Sequence, residues 1–436
     1  MTEIFQIFFQ LLLFFLLTYF PLNKFTIARY SFTYFNSNYN AFFFNIILIL
    51  NIFLLLSFFK INLIIIFASL FLINFSLFLF NFSNITKEIF SKKNINLKFF
   101  FIFISLCFFF KTASNLELGW DALSYWLSKT NNFYNNSSFF EMPHSASPQL
   151  GSYIWAFFWK NSFMQKEYLG RLFLDYVYLI SIFTIGISLN TKSNLKKITF
   201  VLCLILFTFD YNNTLSGYQD YFLFSLLVFC SKILVELNYR LKKNQNLIRY
   251  SLLIMTSILL PWVKNEGIFY SIFIGIVFFF INSQTFNKKI FFLFIILINI
   301  VIRISLAKFI LETDQIFHFP FTLDIIFQNI FNLKELIYRT FYIFFYLIRS
   351  IFQYPLILIN LIVIFFSLRY LKYLDNKKIY YIFFFLNLIF IYGIYMITTS
   401  PLIWHLQTSM SRLLLQTCGF YIFLLVDLIN KKIIVI

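Results

Sequence analysis

The sequence has few charged residues: Asp, Glu, Lys and Arg make up only 12% of its 436 residues, whereas 61% are hydrophobic. It contains no polar stretch long enough for a water-soluble domain and no internal repeat of fixed period. Apolar runs of about 15 to 22 residues recur from end to end, and such runs have no stable place in water. A soluble globular protein is therefore excluded, and the composition predicts a polytopic membrane protein.

Cysteine and histidine are also scarce. The four cysteines stand singly in or beside apolar runs, without a CxxC pair, which is typical of buried inert thiols. The three histidines lie far apart in the chain and show no metal-ligand spacing. We therefore expect no divalent metal and assign no cofactor. The residues are Cys107, Cys203, Cys230 and Cys418, and His144, His318 and His405.

Positive charge is concentrated in short loops. The net charge of +18 would suit a nucleic-acid-binding protein, but 21 of the 35 basic residues fall in seven clusters between apolar runs. The positive-inside rule places such loops in the cytoplasm, so the charge orients the chain and no nucleic-acid partner is expected. The clusters are Lys24 and Arg29; Lys87, Lys92, Lys93 and Lys98; Lys192, Lys196 and Lys197; Arg240, Lys242, Lys243 and Arg249; Lys288 and Lys289; Arg369, Lys372, Lys377 and Lys378; and Lys431 and Lys432.

Threading the chain with these loops inside predicts an all-α, polytopic transmembrane bundle of about 13 spans, with the N-terminus outside and the C-terminus in the cytoplasm. Outer segments cover 112–167, where interfacial helices are expected, and 311–335. Residues 150–159 should lie along the outer surface or re-enter the membrane. The predicted spans are 4–20, 41–59, 62–81, 98–111, 168–190, 198–210, 217–237, 249–262, 267–282, 290–310, 336–367, 379–398 and 413–430.

An aspartate stands among aromatic residues near the start of the first outer segment, in GWDALSYWLSK, residues 119–129. As a helix over about 120–134, this stretch places Asp121, Tyr125 and Lys129 on one face. Its tryptophan and leucine side chains fall on another face, which suits a helix lying at headgroup level. Two interpretations stay open: Asp121 belongs to a functional site, or the helix is an interfacial anchor with a solvated carboxylate.

The outer end of the last span carries an arginine within an apolar run. In WHLQTSMSRLLLQ, residues 404–416, helical spacing puts His405, Ser409, Arg412 and Gln416 on one face. An arginine in such a setting needs an anionic partner. That partner could be a phosphate group or a protein carboxylate such as Asp220.

Two further outer turns are polar. LPWVKNEGIF, residues 260–269, places Lys264 and Glu266 between two spans, and SGYQDYFLF, residues 216–224, places Asp220 where a span begins. The threading also puts all three histidines, and 12 of the 15 acidic residues that lie outside the basic clusters, on the outer side. Each turn alone is an ordinary polar turn; together they predict a polar site at the outer surface.

Taken in order, WDALSYW, HSASPQLGSYIWAFFW, GYQD, KNEG and WHLQTSMSRLLLQ resemble the bacterial integral-membrane glycosyltransferases of the GT-C fold, over roughly residues 115–420. That superfamily includes the protein O-mannosyltransferase-like (glycosyltransferase family 39) and lipid A aminoarabinose transferase-like enzymes. The resemblance implies a catalytic region over 98–430 and an N-terminal transmembrane extension over 1–97. It also implies an inverting transfer of sugar from a polyprenyl-phosphate carrier to an extracytoplasmic acceptor.

The same resemblance implies roles for individual residues. Asp121 matches the acidic residue of the first loop, which acts as the base that accepts the acceptor's proton. Arg412 and Lys264, and then Arg171, would stabilise the leaving phosphate, whereas His144 and His405 would hydrogen-bond phosphate or sugar. The further substrate-binding candidates are Asp220, Glu266, Tyr125 and Lys129.

The expected partners are membrane lipid, the lipid-linked sugar, and an acceptor that is a glycan, a lipid or a protein. The expected location is the cytoplasmic (inner) membrane, with the active site on its extracytoplasmic face. Two alternatives stay open. One is a polysaccharide polymerase or O-antigen ligase, which usually has its longer outer loop in the second half of the chain. The other is a transporter or lipid flippase, which predicts charges or broken helices at mid-membrane.

Overall fold

The structure is a computed structural model that describes residues 2–19, 38–89, 95–143, 148–208, 216–238, 243–281, 284–310, 323–369 and 377–430. All regular secondary structure in these ranges is helical. The α-helices are α1 Thr2–Tyr19, α2 Asn38–Leu56, α3 Leu63–Ile89, α4 Ile95–Ser114, α5 Leu127–Tyr134, α6 Leu150–Lys160, α7 Glu167–Ile187, α8 Asn194–Thr208, α9 Asp220–Asn238, α10 Lys243–Val263, α11 Glu266–Phe279, α12 Phe286–Ser305, α13 Leu323–Phe331, α14 Leu333–Gln353, α15 Pro355–Arg369, α16 Lys377–Ile397 and α17 Leu402–Asn430.

The helices support a multi-pass membrane protein. A helix lies at each of the thirteen predicted span positions, because each apolar run there is long enough to form one. Seven described helices are both long and apolar enough to cross a membrane, or eight if one bent pair counts as a span. Parts of α1, α2 and α11 are apolar but shorter. The chain is therefore an α-helical membrane bundle.

The interval 336–367, predicted as one long span, is two helices. Helices α14 and α15 meet at a bend of 104°. Pro355 opens α15, where its lack of an N–H costs nothing, whereas inside a continuous helix its ring would clash with the preceding turn. The span predicted at this position is therefore two helices joined at a sharp bend.

Helix α9 lies at the centre of the bundle. It packs against α7, α10 and α17, and all its residues from Asp220 to Val235 are buried. Gly419 of α17 permits a close approach, because a Cβ atom at this position would overlap the carbonyl oxygen of Phe224. Small residues at helix crossings serve this purpose in membranes, where packing rather than hydrophobic burial holds helices together.

The N-terminal helices pack onto the rest of the bundle. Helix α2 contacts α7 and α10, and α1 contacts α2, α4 and α7. The buried Asn45 side chain donates to the carbonyl oxygen of Thr18, and Thr18 is hydrogen-bonded to Tyr176 of α7 at 2.7 Å between their oxygens. The segment predicted as an extension thus shares its packing with the predicted catalytic region.

The segment 112–167, which was predicted to lie outside the membrane, packs onto the helices of the bundle. The chain is helical from Trp120 to Tyr134, as predicted, with a wider π-helical turn at Ala122–Trp126. Helix α6 was expected on the outer surface or re-entering the membrane. Its 11 residues span about 16 Å, too short to cross a bilayer. Residues Leu150–Phe158 are all buried, and α6 packs between α5 and α7 rather than lying exposed on a surface.

Candidate functional site

Five charged side chains from four parts of the chain meet at one end of the bundle. Asp121 comes from the helical segment Trp120–Tyr134, Asp220 from the first residue of α9, and Arg412 from α17. Lys264 and Glu266 come from the short connection between α10 and α11. All five were predicted site residues, and the structure brings them into one ion-pair network.

Asp220 is the central acceptor of this network, and its side chain is fully buried. Its Oδ1 accepts hydrogen bonds from Lys264 Nζ at 2.9 Å and from Gln416 Nε2. Its Oδ2 accepts from Arg412 Nε at 3.2 Å and Nη2 at 3.0 Å. A buried carboxylate is tolerated only when it is paired in this way, so Asp220 holds the network together from inside.

Arg412 joins the buried carboxylate to a more open one. Its Nη2 also donates to Asp121 Oδ2 at 2.7 Å, and its guanidinium lies 4.5 Å from the ring centroid of Tyr218. Charge-assisted bonds and the aromatic face fix the guanidinium plane. Of the two partners considered for Arg412, the structure therefore shows the protein carboxylate Asp220, with Asp121 as a second.

Lys264 also forms ion pairs with two carboxylates. Its Nζ lies 2.9 Å from Asp220 Oδ1 and 3.3 Å from Glu266 Oε1. Burial acts to lower the pKa of this ammonium group, but the two carboxylates outweigh it and raise the pKa above its usual value. Lys264 is therefore charged at neutral pH. With three carboxylates and two cations, the network carries a net charge of −1.

Asp121 is the carboxylate of this network that is most accessible. Its side chain is 27% exposed, compared with 21% for Glu266 and 0% for Asp220. Within the part of the chain that the structure describes, only one of its two oxygens is hydrogen-bonded, to Arg412. Since each carboxylate oxygen can accept more than one hydrogen bond, the partly exposed carboxylate of Asp121 can accept further hydrogen bonds.

Contact between two loops sets the position of Asp121. The amide of Gly119 donates to the carbonyl oxygen of Ser216 at 2.9 Å. A Cβ atom on Gly119 would overlap the ring of Tyr218, so glycine permits this approach. The GWD and SGYQD stretches are therefore joined through their backbones, and Asp121 and Asp220 reach Arg412 from two sides.

The network lies at one end of α9 and α10, and the basic residue Arg249 lies toward their other end. Helix α9 begins at Asp220 and ends at Asn238, and α10 returns to end beside Lys264. The 19 residues of α9 span about 28 Å, close to the thickness of a bilayer core. The far end carries its own ion pair, Glu236 with Arg249 at 3.2 Å.

Three predicted site residues lie outside the network. Arg171 pairs with Glu167, one turn earlier in α7, at 3.0 Å. Lys129 is buried, and its Nζ donates to the carbonyl oxygen of Pro148 at 3.3 Å. Tyr125 is half-buried and packs edge-on against the exposed Trp120, with ring centroids 5.6 Å apart.

His405, the predicted site histidine that the structure describes, forms a hydrogen bond outside the network. His405 shares a helix with Arg412, but its Nδ1 is hydrogen-bonded to Thr398 Oγ1 at 2.8 Å. Ser409, one turn later, is bonded to the hydroxyl of Tyr395 at 2.7 Å. The N-terminal half of this helix face thus contacts the end of α16. His144 and His318 lie outside the described residues.

Sequence reasoning missed two members of the network. Tyr218 stacks on Arg412, and Gln416 bonds Asp220 and accepts from the hydroxyl of Tyr270 at 3.2 Å. A signal was present for both. Gln416 follows Arg412 by four residues on the predicted face, and Tyr218 stands two residues before Asp220 in the polar turn.

In the described parts of the chain, no group of three or more His, Cys, Asp or Glu residues is arranged to hold a metal ion. Comparison with protein-family models, with curated proteins and with solved structures finds no match for this chain. The class that its own structure defines is a multi-pass α-helical membrane protein with a buried ion-pair network at one end of the bundle.

Proposed function

We propose that the protein is an inverting glycosyltransferase of the GT-C type. It transfers a sugar from a polyprenyl-phosphate carrier to the hydroxyl group of an extracytoplasmic acceptor. The observation that carries this proposal is Asp121, a partly open carboxylate whose orientation is fixed by Arg412 at the edge of a membrane bundle. A general base requires this combination of access and fixed direction.

In the proposed reaction, the acceptor oxygen attacks the anomeric carbon while its proton passes to Asp121. The new bond joins that oxygen to the sugar, and the bond between the anomeric carbon and the phosphate oxygen breaks. The carrier leaves as polyprenyl phosphate, with the bonding electron pair on its oxygen. Attack opposite the leaving group inverts the anomeric configuration.

Asp220, Lys264 and Gln416 act as positioning residues in this scheme. Asp220 bonds the guanidinium of Arg412, and Lys264 and Gln416 each bond Asp220. All three side chains are buried, whereas Asp121 is partly exposed. Residues that hold a neighbouring side chain in this way keep a reacting group within a few tenths of an ångström of its productive position. The buried network therefore supports a base at Asp121 rather than at Asp220.

The proposed location is the cytoplasmic membrane of a bacterium, with about 13 spans and the network on the extracytoplasmic side. The support is the separation of charge along α9 and α10, which puts the network at the end opposite the basic clusters. A donor made in the cytoplasm and presented outside on a lipid carrier would meet Asp121 there.

The proposal is tested by supplying purified protein in proteoliposomes with a panel of labelled polyprenyl-phosphate sugars and a cell-envelope acceptor extract. We expect wild-type protein to transfer label from at least one donor, and Asp121→Asn to reduce transfer by about 10² to 10⁴-fold. Glu117→Gln is the matched control, because Glu117 is an exposed carboxylate in the same loop. It should transfer label normally. Transfer that survives in a folded Asp121→Asn protein would exclude Asp121 as the base.

A further inference from the structure

Two buried glutamine side chains near the network have unused hydrogen-bonding capacity. Gln149 and Gln219 stand in the stretches HSASPQLGSYIWAFFW and GYQD, and each is 1% exposed. In the part of the chain that the structure describes, neither the nitrogen nor the oxygen of either carboxamide has a hydrogen-bond partner. Buried polar groups are normally paired, because an unpaired one destabilises the fold. These two carboxamides are therefore candidates for binding a ligand.

Both glutamines adjoin the buried start of helix α6. Gln149 is the N-cap residue of α6, and its side chain makes no capping hydrogen bond. The carboxamide of Gln219 lies against Gly151 in the first turn, where a Cβ atom would come within 2.3 Å of the carboxamide carbon, nitrogen and oxygen. The first N–H groups of a helix have no acceptor within the helix. The start of α6 therefore combines helix N–H donors with two glutamine side chains.

The start of α6 lies close to the segment that carries Asp121. Gln219 and Gly217 stand in the same turn, just before helix α9 begins. A Cβ atom on Gly217 would lie 3.1 Å from the Cβ of Ala122, the residue that follows Asp121. One turn thus contacts the start of α6 through Gln219 and the Asp121 segment through Gly217. A molecule with a group bound at the start of α6 can therefore also reach Asp121.

The chemistry of the two glutamines favours a hydroxyl group as the ligand. A carboxamide with both atoms unpaired offers an acceptor and donors, and a hydroxyl group can use both, since it donates to Oε1 and accepts from Nε2. A phosphate or carboxylate group would use only the donors. It would also lie near the ion-pair network, whose five charged groups sum to −1. A neutral ligand with several hydroxyl groups therefore suits this site better than an anion does.

We propose that Gln149 and Gln219, at the start of α6, bind hydroxyl groups of the sugar that the lipid carrier presents. The assignment to a carrier-linked sugar rests on the proposed function, whereas the unpaired carboxamides and their place in the fold do not. A site built to pair with a hydroxyl group rejects ligands that lack it, because its own buried polar groups are then left unpaired. Gln149 and Gln219 would thus select the sugar, while Asp121 acts on the acceptor.

The test compares the binding of polyprenyl phosphates with and without a sugar to purified protein in detergent. The panel carries a hexose, a pentose or an amino sugar on the same short fluorescent chain, and the bare polyprenyl phosphate is the reference. We expect the wild type to bind at least one sugar-bearing carrier about tenfold more tightly than the bare carrier. Gln149→Met and Gln219→Met should each remove most of this difference and leave the binding of the bare carrier unchanged.

Thermal unfolding distinguishes this binding role from a structural one. Replacement of an unpaired buried carboxamide by an apolar group of similar size leaves a fold as stable or more stable, so Gln149→Met and Gln219→Met should not lower the thermal transition. Gln10→Met is the matched control, because Gln10 is buried in α1 and its Nε2 donates to the carbonyl oxygen of Leu169 at 3.3 Å. The Gln10→Met protein should unfold at a lower temperature and keep the full preference for the sugar-bearing carrier.

The outcomes separate this inference from the proposed function. Equal affinity of the wild type for the bare carrier and for every sugar-bearing carrier would overturn the sugar site, and so would an unchanged preference in the Gln149→Met and Gln219→Met proteins. A marked fall in the thermal transition of both variants would give the glutamines a structural role and overturn the site as well. A sugar preference that both substitutions remove, together with no transfer by the wild type from any donor, would keep the site and reject the transferase.

Discussion

Two carboxylates share one arginine, and their surroundings give them different roles. Asp220 is fully buried with both oxygens bonded, whereas Asp121 is 27% exposed and bonded through one oxygen. A carboxylate without access to substrate can stabilise and orient, but it cannot receive a proton from an acceptor. At the scale of single residues, we therefore propose that Asp220 has a structural role and that Asp121 is the catalytic base.

We predict that Asp220→Asn destabilises the protein strongly. The change leaves Lys264 and Arg412 without the buried charge that compensates them, and the loss of one partner from a buried ion pair costs about 3–5 kcal/mol. The thermal transition of the purified protein in detergent measures this effect. Glu266→Gln is the control, because Glu266 is partly exposed and contacts Lys264 only at 3.3 Å.

The Glu266→Gln protein should unfold within a few degrees of the wild type, since partly exposed ion pairs contribute about 0–1 kcal/mol. Equal transitions for Asp220→Asn and Glu266→Gln would show that Asp220 does not hold the network together.

The sequence identified these residues better than it identified their partners. Asp121, Asp220, Lys264, Glu266 and Arg412 were each recognised because a charge beside an apolar run is costly and needs a reason. Asp220 was named only as one alternative partner of Arg412, and the pairing of Arg412 with Asp121, 291 residues away, was not predicted. Helical spacing predicts which residues share a face; it does not predict what faces them.

At the scale of elements, helix α17 carries Arg412 and Gln416 past the start of α9. The two helices lie in close contact where Gly419 meets the backbone of Phe224. The position of α17 was predictable from its apolar run, and its first turns from the helical spacing around Arg412. The π-helical turn at Ala122–Trp126 was not predictable, because the change in hydrogen bonding leaves the hydrophobic pattern almost unaltered.

We predict that Gly419→Ala lowers the thermal transition and reduces sugar transfer, because the new methyl group would force α9 and α17 apart. Overpacking of this kind costs about 1–3 kcal/mol. Gly393→Ala is the matched control in α16, where a Cβ atom meets nothing within 4 Å. It should be neutral or stabilising by up to about 1 kcal/mol, since alanine favours the helix more than glycine does.

The comparison uses the same substitution in two helices, so a general effect of alanine cancels. Two variants that are equally stable and equally active would mean that the close crossing of α9 and α17 does not position Arg412.

At the scale of the whole molecule, the ion-pair network lies at the end of α9 and α10 that is opposite the Glu236–Arg249 pair. The placement of charge in the sequence predicts that the other basic clusters also lie opposite the polar site. The sequence did not predict the size of the bend in the interval 336–367, where a proline divides one apolar run into two helices that differ in direction by 104°. Hydropathy reports how apolar a segment is, and it does not report a change of direction within it.

We predict that cysteines introduced at Leu116 and Leu195 are labelled from opposite sides of the membrane. Both side chains are exposed, Leu116 in the loop before Asp121 and Leu195 in the first turn of α8, which follows the end of α7. The four native cysteines are first replaced by serine or alanine. A membrane-impermeant maleimide should label Leu116→Cys in intact cells and Leu195→Cys only after permeabilisation. The reverse pattern would place the network in the cytoplasm and reject the proposed orientation.

The central claim is that Asp121 accepts the proton in sugar transfer, and single-turnover kinetics test it most directly. Wild-type and Asp121→Asn proteins are loaded with the same labelled donor to equal occupancy, and acceptor is then added in excess. We predict that the two proteins bind the donor equally and that the rate of transfer falls by about 10² to 10⁴-fold in the variant. The wild-type product should have an inverted anomeric centre. Equal rates at equal occupancy would contradict the assignment of Asp121 as the base.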